Sequence, residues 1–141
     1  SLAPREFIKL VGIAEWKHAE EGEILLRQDE KVSQLALISS GRAGVELDGR
    51  HIAEVGPSQF IGEMGFLTEE PASANVIARL PMDYLSWPVT TLREFLRDHP
   101  QVHVKVQGIL GVDLVEKLRC EGFSAAHPSK IMDMYKKGEL E

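Results

Sequence analysis

The residues best placed to do chemistry lie between Phe60 and Val76, in the run Phe-Ile-Gly-Glu-Met-Gly-Phe-Leu-Thr-Glu-Glu-Pro-Ala-Ser-Ala-Asn-Val. Gly62, following Ile61, lets a backbone approach a ligand closely. If a helical turn opens after it, the free N–H groups of Met64, Gly65, Phe66 and Leu67 point outward from the turn's start, an arrangement suited to an anion. Downstream, Ala72, Ser73 and Ala74 supply small side chains and one hydroxyl. Glu63 adds a carboxylate, which repels an anion unless a base compensates it. Arg79 and Arg42 are the basic residues of the surrounding region that could swing in, and each also reads as an ordinary solvated strand residue.

Other constellations carry less. His99 and His103 are spaced to present two imidazoles from one helix face, but no third ligand is apparent and Pro100 falls between them, so no metal site is expected. Glu20-Glu21 and Glu69-Glu70 are carboxylate pairs without a partner base, read as solvated loop charges. Cys120 is the single cysteine and cannot form an internal bridge. No Ser/His/Asp order, Walker loop or dinucleotide fingerprint occurs, so neither catalytic residues nor a cofactor is expected. With 16 Lys and Arg against 22 Asp and Glu, the formal charge of -6 argues against direct nucleic-acid binding, which needs clustered basic residues. No apolar run approaches the roughly eighteen residues of a membrane span, and a cytoplasmic domain is expected. The chain opens inside a helix-start signal at Ser1-Leu2-Ala3-Pro4, as a segment cut from a longer protein would.

The elements that must position these residues follow from periodicity. Pro4 suits a first helical turn, and Phe7, Ile8, Leu10 and Val11 recur at helical spacing up to Gly12. From Trp16 to Trp87 short apolar runs alternate with polar residues, broken by Gly22, Gly41, Asp48-Gly49, Gly56-Pro57 and Pro71. That pattern predicts strands over 15–19, 23–28, 34–40, 42–47, 50–55, 59–61, 75–80 and 83–87, with Asp48-Gly49 as a type I′ hairpin turn. Trp16 and Trp87 are read as core anchors. After Pro88 the period becomes helical through Leu92, Phe95 and Leu96, and again from Val102 to Leu118. Beyond Arg119 the pattern weakens, with one or two helical turns over Ser129 to Tyr135.

Glu21-Gly22-Glu23, Ser40-Gly41-Arg42, Val55-Gly56-Pro57 and the Phe60 to Val76 run together resemble the cyclic nucleotide-binding domain. The resemblance implies a mainly β fold with flanking helices: an eight-stranded β jelly roll with N- and C-terminal α-helices. It further implies that the run is a phosphate-binding cassette. Glu63 would then accept from the ribose hydroxyl, and Ser73 and Ala74 would contribute a hydroxyl or amide to the cyclic phosphate. The family's phosphate-pairing arginine stands immediately after the position of Pro71, where this chain has Ala72. Farther along, Leu85-Ser86-Trp87, Phe95-Leu96, Pro100 and Ile109-Leu110-Gly111-Val112-Asp113-Leu114 with Lys117-Leu118 look like the Popeye branch in a bacterial-type form. Popeye proteins place membrane spans ahead of this domain, so membrane association would come only through segments outside this chain.

The expected organisation is a binding domain over residues 1–119 and a C-terminal tail over 120–141. The expected function is a non-enzymatic sensor that binds cAMP or cGMP through Ile61, Gly62, Glu63, Met64, Gly65, Ala72, Ser73 and Ala74, weakly or in altered form because the arginine is missing. The alternative is a pseudo-sensor: an interaction or oligomerisation domain that binds no nucleotide. The stripe Val106, Ile109, Leu110, Leu114 and Leu118, flanked by Val112 and Val115 and with Gly108 and Gly111 permitting close approach, predicts a homodimer through the helix over 102–118, the competing view being that the stripe folds back over the roll of a monomer.

Overall fold

Turn residues divide the middle of the chain into short strands that pair antiparallel. The protein, seen in a computed structural model that describes residues 2–120, runs α1 (Pro4–Gly12), β1 (Glu15–Ala19), β2 (Ile24–Leu26), β3 (Gln34–Ser40), β4 (Ala43–Leu47), β5 (Arg50–Val55), β6 (Phe60–Ile61), α2 (Glu63–Thr68), β7 (Asn75–Ala78), β8 (Met82–Pro88), α3 (Val89–Asp98) and α4 (Pro100–Cys120). The strands form two four-stranded sheets, ordered β1-β8-β3-β6 and β2-β7-β4-β5. This is the mainly β, eight-stranded jelly roll with helices that the resemblance implies. Asp48 and Gly49 take φ of 52° and 81°, the paired positive values of a type I′ turn between β4 and β5.

Two-residue alternation divides the apolar residues between two cores. Ala36 and Ile38 of β3, Ile61 of β6 and Tyr84 of β8 face the other sheet, where Val45 and Val55 meet them. Leu35, Leu85 and Trp87 face outward and are covered by Leu10 of α1, Leu92 and Leu96 of α3, and Val102, Val106 and Leu110 of α4. Trp87 is buried, and its Nε1–H donates to the Leu10 carbonyl at 2.8 Å, fastening α1 to the sheet. Lys105 of α4 reaches Glu6 of α1 at 2.8 Å, and Glu6 also accepts from the Ala3 N–H at 2.9 Å. Both contacts hold the Glu6 carboxyl below its ordinary range, Lys105 most.

Three expectations need correction. Trp16 is no core anchor: it is 66% exposed, because β1 is an edge strand and the helices that bury its neighbour Leu85 leave Trp16 uncovered. On α4, Val106 and Leu110 are buried against the roll and are not offered to a partner, while Val104 and Val112 are exposed. The paired glutamates are not both free of a base, since Glu20 accepts from His18 Nε2. The side chains of Leu114 and Leu118, the helical turns over Ser129 to Tyr135 and the tail beyond Cys120 lie outside the described residues. Among the described residues no helix is long and apolar enough to cross a membrane.

Candidate functional site

The cassette is a strand, a left-handed glycine and one and a half turns of helix. β6 ends at Ile61, Gly62 takes φ of 90°, and α2 begins at Glu63. A Cβ on Gly62 would come within 2.8 Å of the Gln34 carbonyl oxygen, so the reversal there depends on glycine twice, through φ and through contact. Gly65 admits Val32: a Cβ there would sit 2.6 Å from the valine Cβ. α2 stops after Thr68, where Glu69 takes φ of 61° and its N–H returns to the Gly65 carbonyl at 2.9 Å.

All eight site residues of the sequence reading line one small cavity of about 60 Å³. Glu63 is buried at its edge, 4% exposed, and Ala72 and Ala74 are buried beside it. The segment after α2 is stitched to the loop after β2: the Ala72 N–H donates to the Glu30 carbonyl and the Asp29 N–H to the Ala72 carbonyl, each at 2.8 Å. The Gln28 N–H donates to Asn75 Oδ1 at 2.7 Å. One part of the anion cradle differs from expectation. The Phe66 N–H donates to the Gly62 carbonyl at 3.0 Å, inside the helix, so it is not available to a ligand. The sequence reading missed Val32, Leu26 and Val45, which also line the cavity. Leu26 and Val45 reach it from β2 and β4 and Val32 from the loop before β3, and only the tight fit of a small residue such as Gly65 hinted that something bulky sits opposite.

The cavity wall holds a carboxylate and no cation: among its lining residues none is Lys, Arg or His. Arg79 is engaged elsewhere, its Nη2 donating to Glu46 Oε2 at 3.0 Å and approaching His51 Nδ1 at 3.2 Å across Gly44. Arg42 is exposed, with its guanidinium against Gly56. Behind the cassette, Arg93 of α3 donates from Nη2 to the Phe66 carbonyl at 2.7 Å and places its guanidinium carbon 4.7 Å from the centre of the Phe66 ring. It therefore joins α2 to α3 but does not line the cavity. His99 stacks on Phe95 with ring centres 4.2 Å apart and donates from Nδ1 to the Phe95 carbonyl at 2.8 Å, which ties it to α3.

Comparison with known proteins places this geometry. Residues 16–99 match the family model described as the cyclic nucleotide-binding domain. Glutaminase 2 of Bradyrhizobium diazoefficiens is 28% identical over 114 residues; the match covers 80% of this chain, which spans only 18% of that protein's length. Catabolite activator protein of Thermus thermophilus superposes with a TM-score of 0.69 at 24% identity, over 82% of this chain and 57% of that one. The regulatory subunit of a cAMP-independent protein kinase A from Trypanosoma brucei superposes with a TM-score of 0.60 at 23% identity, over 62% of this chain and 33% of that one. A mutant of that subunit, with a threonine exchanged for arginine and a glutamate and a valine exchanged for alanine, is bound to cAMP in its A site; it superposes with a TM-score of 0.58 at 21% identity, over 71% of this chain and 41% of that one.

Proposed function

The chain belongs to the cyclic nucleotide-binding domain family, and from that premise we propose that it is a non-enzymatic regulatory module whose cassette binds cAMP or cGMP weakly. The observation that carries this reading is Ala72, which lines the cassette cavity where the resemblance puts a phosphate-pairing arginine, with no basic side chain on the lining to replace it. A guanidinium paired with an anion contributes about 1.5–3 kcal/mol. Glu63 is then the one acidic or basic residue on the cavity lining. Glu63 and the reversal at Gly62 remain in place to take a ribose hydroxyl. The Trypanosoma pair supports the same direction, since the parent is described as cAMP-independent and the mutant with an added arginine is seen with cAMP. Occupancy would be passed through the Arg93 link between α2 and α3 to the helix after Pro100.

One observation favours the second reading, a pseudo-sensor that binds no nucleotide. The cavity of about 60 Å³ is far below the roughly 300 Å³ at which ligand sites usually begin, so a nucleotide must first open the stitched loop at Ala72. Calorimetric titration with cAMP and cGMP decides between the two. Weak binding by the wild type, strengthened roughly tenfold to a hundredfold by Ala72→Arg and weakened by Glu63→Ala, is the expected result. If Ala72→Arg stays folded and gains nothing, the weak-sensor reading fails and the pseudo-sensor stands.

A further inference from the structure

We propose that this domain carries a second ligand site, separate from the cassette, for an uncharged apolar molecule about the size of naphthalene. A half-enclosed cavity of about 290 Å³ lies between α1, the outer face of the β1-β8-β3-β6 sheet, and helices α3 and α4. Eleven residues line it and every one is apolar, among them Phe7 of α1, Leu37 of β3, Phe60 of β6, Trp87 of β8, Leu92 of α3 and Ile109 of α4.

The lining selects the ligand's chemistry. The one polar side-chain atom among these residues, Trp87 Nε1, already donates to the Leu10 carbonyl at 2.8 Å. A charged or hydrogen-bonding molecule would leave water and receive no side-chain partner in return, at a heavy cost. The volume selects its size. An apolar cavity of about 150 Å³ walled by Leu, Ile and Phe accepts benzene, and this one has nearly twice that space, enough for two fused rings. Its walls come from helices and strands on several sides, so the space fits a small molecule better than a partner's helix. Phe7, half exposed, stands at the rim on α1, the helix that Glu6–Lys105 and Trp87–Leu10 hold in place.

Phe60 gives the site a regulatory position. This residue lines this cavity and also the cassette cavity, two positions before Gly62. A molecule bound on the outer face of the sheet therefore meets a residue that also bounds the cassette.

Titration of the full chain with naphthalene, followed by NMR of labelled Leu, Ile and Val methyl groups, tests the proposal. The expected result is saturable shifts at Leu37 and Ile109, with Ile52, which packs on the other core and lines neither cavity, unmoved. Ile109 is partly exposed and admits a larger side chain, so Ile109→Trp should fill the cavity and weaken binding at least about tenfold. Leu37→Phe asks the same question from the sheet side should the first variant fail to fold. Shifts that never saturate, or that persist at full strength in the folded variants, overturn the proposal. Shifts at Ile109 that follow protein concentration and ignore naphthalene would assign the cavity to a second copy of the chain and overturn it equally.

Discussion

Gly62 shows how much of the cassette is set by single atoms. An alanine there must hold φ near 90° and press its methyl within 2.8 Å of the Gln34 carbonyl oxygen. Gly62→Ala should therefore cost about 1–3 kcal/mol in urea unfolding; an unchanged midpoint would mean that the reversal is not built as described. His18 offers a different single-residue test. Its Nδ1 meets Asp83 Oδ1 at 2.8 Å, its Nε2 meets Glu20, and Ser40 Oγ donates to Asp83 Oδ2 at 3.2 Å. The Asp83 contact, then Glu20, raises the imidazole above its ordinary 6.5, and His18, then Ser40, holds the Asp83 carboxyl below its ordinary 3.8. A raised histidine stabilises the fold fully below 6.5 and ceases to as pH climbs through its folded value. A lowered aspartate does so above 3.8 and ceases to as pH falls through its folded value. The β1–β8 cross-link is thus strongest between those limits. Thermal melts of wild type and His18→Gln should differ most near about pH 5 and converge as pH is raised well past neutrality; a gap that widens instead would contradict the assignment. The exposure of this cluster keeps the effect small. None of it was legible in the sequence, because His18 and Asp83 are 65 positions apart and only the strand pairing brings them together.

Among the elements, strands were read well and faces less so. β1, β3 and β5 coincide with their predicted spans because alternation and turn residues agree there. β2 and β7 are shorter than predicted, each giving its flanking residues to loops, and the bridge they form carries a register shift. Helical spacing revealed that α4 has an apolar stripe but not what covers it, since the helix's own roll and a second copy both demand the same period. Of that stripe, Val106 and Leu110 belong to the roll. The line left open is Val104, the half-buried Gly108 and Val112, at four-residue steps, with both valines more than half exposed. If α4 pairs two copies, as the sequence reading predicts, it does so along this line. Sedimentation equilibrium should then show a dimer that Val104→Glu with Val112→Glu dissociates, while the melting temperature of the monomeric variant stays close to wild type. A wild type that is monomeric at high micromolar concentration removes α4 as an autonomous interface.

At the scale of the molecule, one sheet separates two cores and carries a cavity on each face, and Phe60 lines both cavities. Two sites that share a wall can influence each other, and any coupling between binding equilibria must be reciprocal. In the Ala72→Arg variant, saturating naphthalene is predicted to change cAMP affinity by on the order of fivefold, and cAMP to change naphthalene affinity by the same factor. Titrations run in both orders check this. Equal affinities with and without the second ligand would show that Phe60 is a passive wall. The cassette was legible because it is contiguous in sequence and carries a Gly-Glu pair. The second cavity was not, since its lining is drawn from α1, three strands, α3 and α4, and each contributing residue looks like ordinary core.

The contrast between Trp16, two-thirds exposed on an edge strand, and Trp87, buried under α1, gives the protein two optical reporters of different depth. A collisional quencher such as acrylamide should extinguish the first lamp while leaving the second lit. Because Trp87 is bonded to the last turn of α1, release of that helix alone would uncover it while the strands remain paired. A second quenchable population, arising before circular dichroism registers any loss of sheet, would time the unfastening of α1 separately from the melting of the roll.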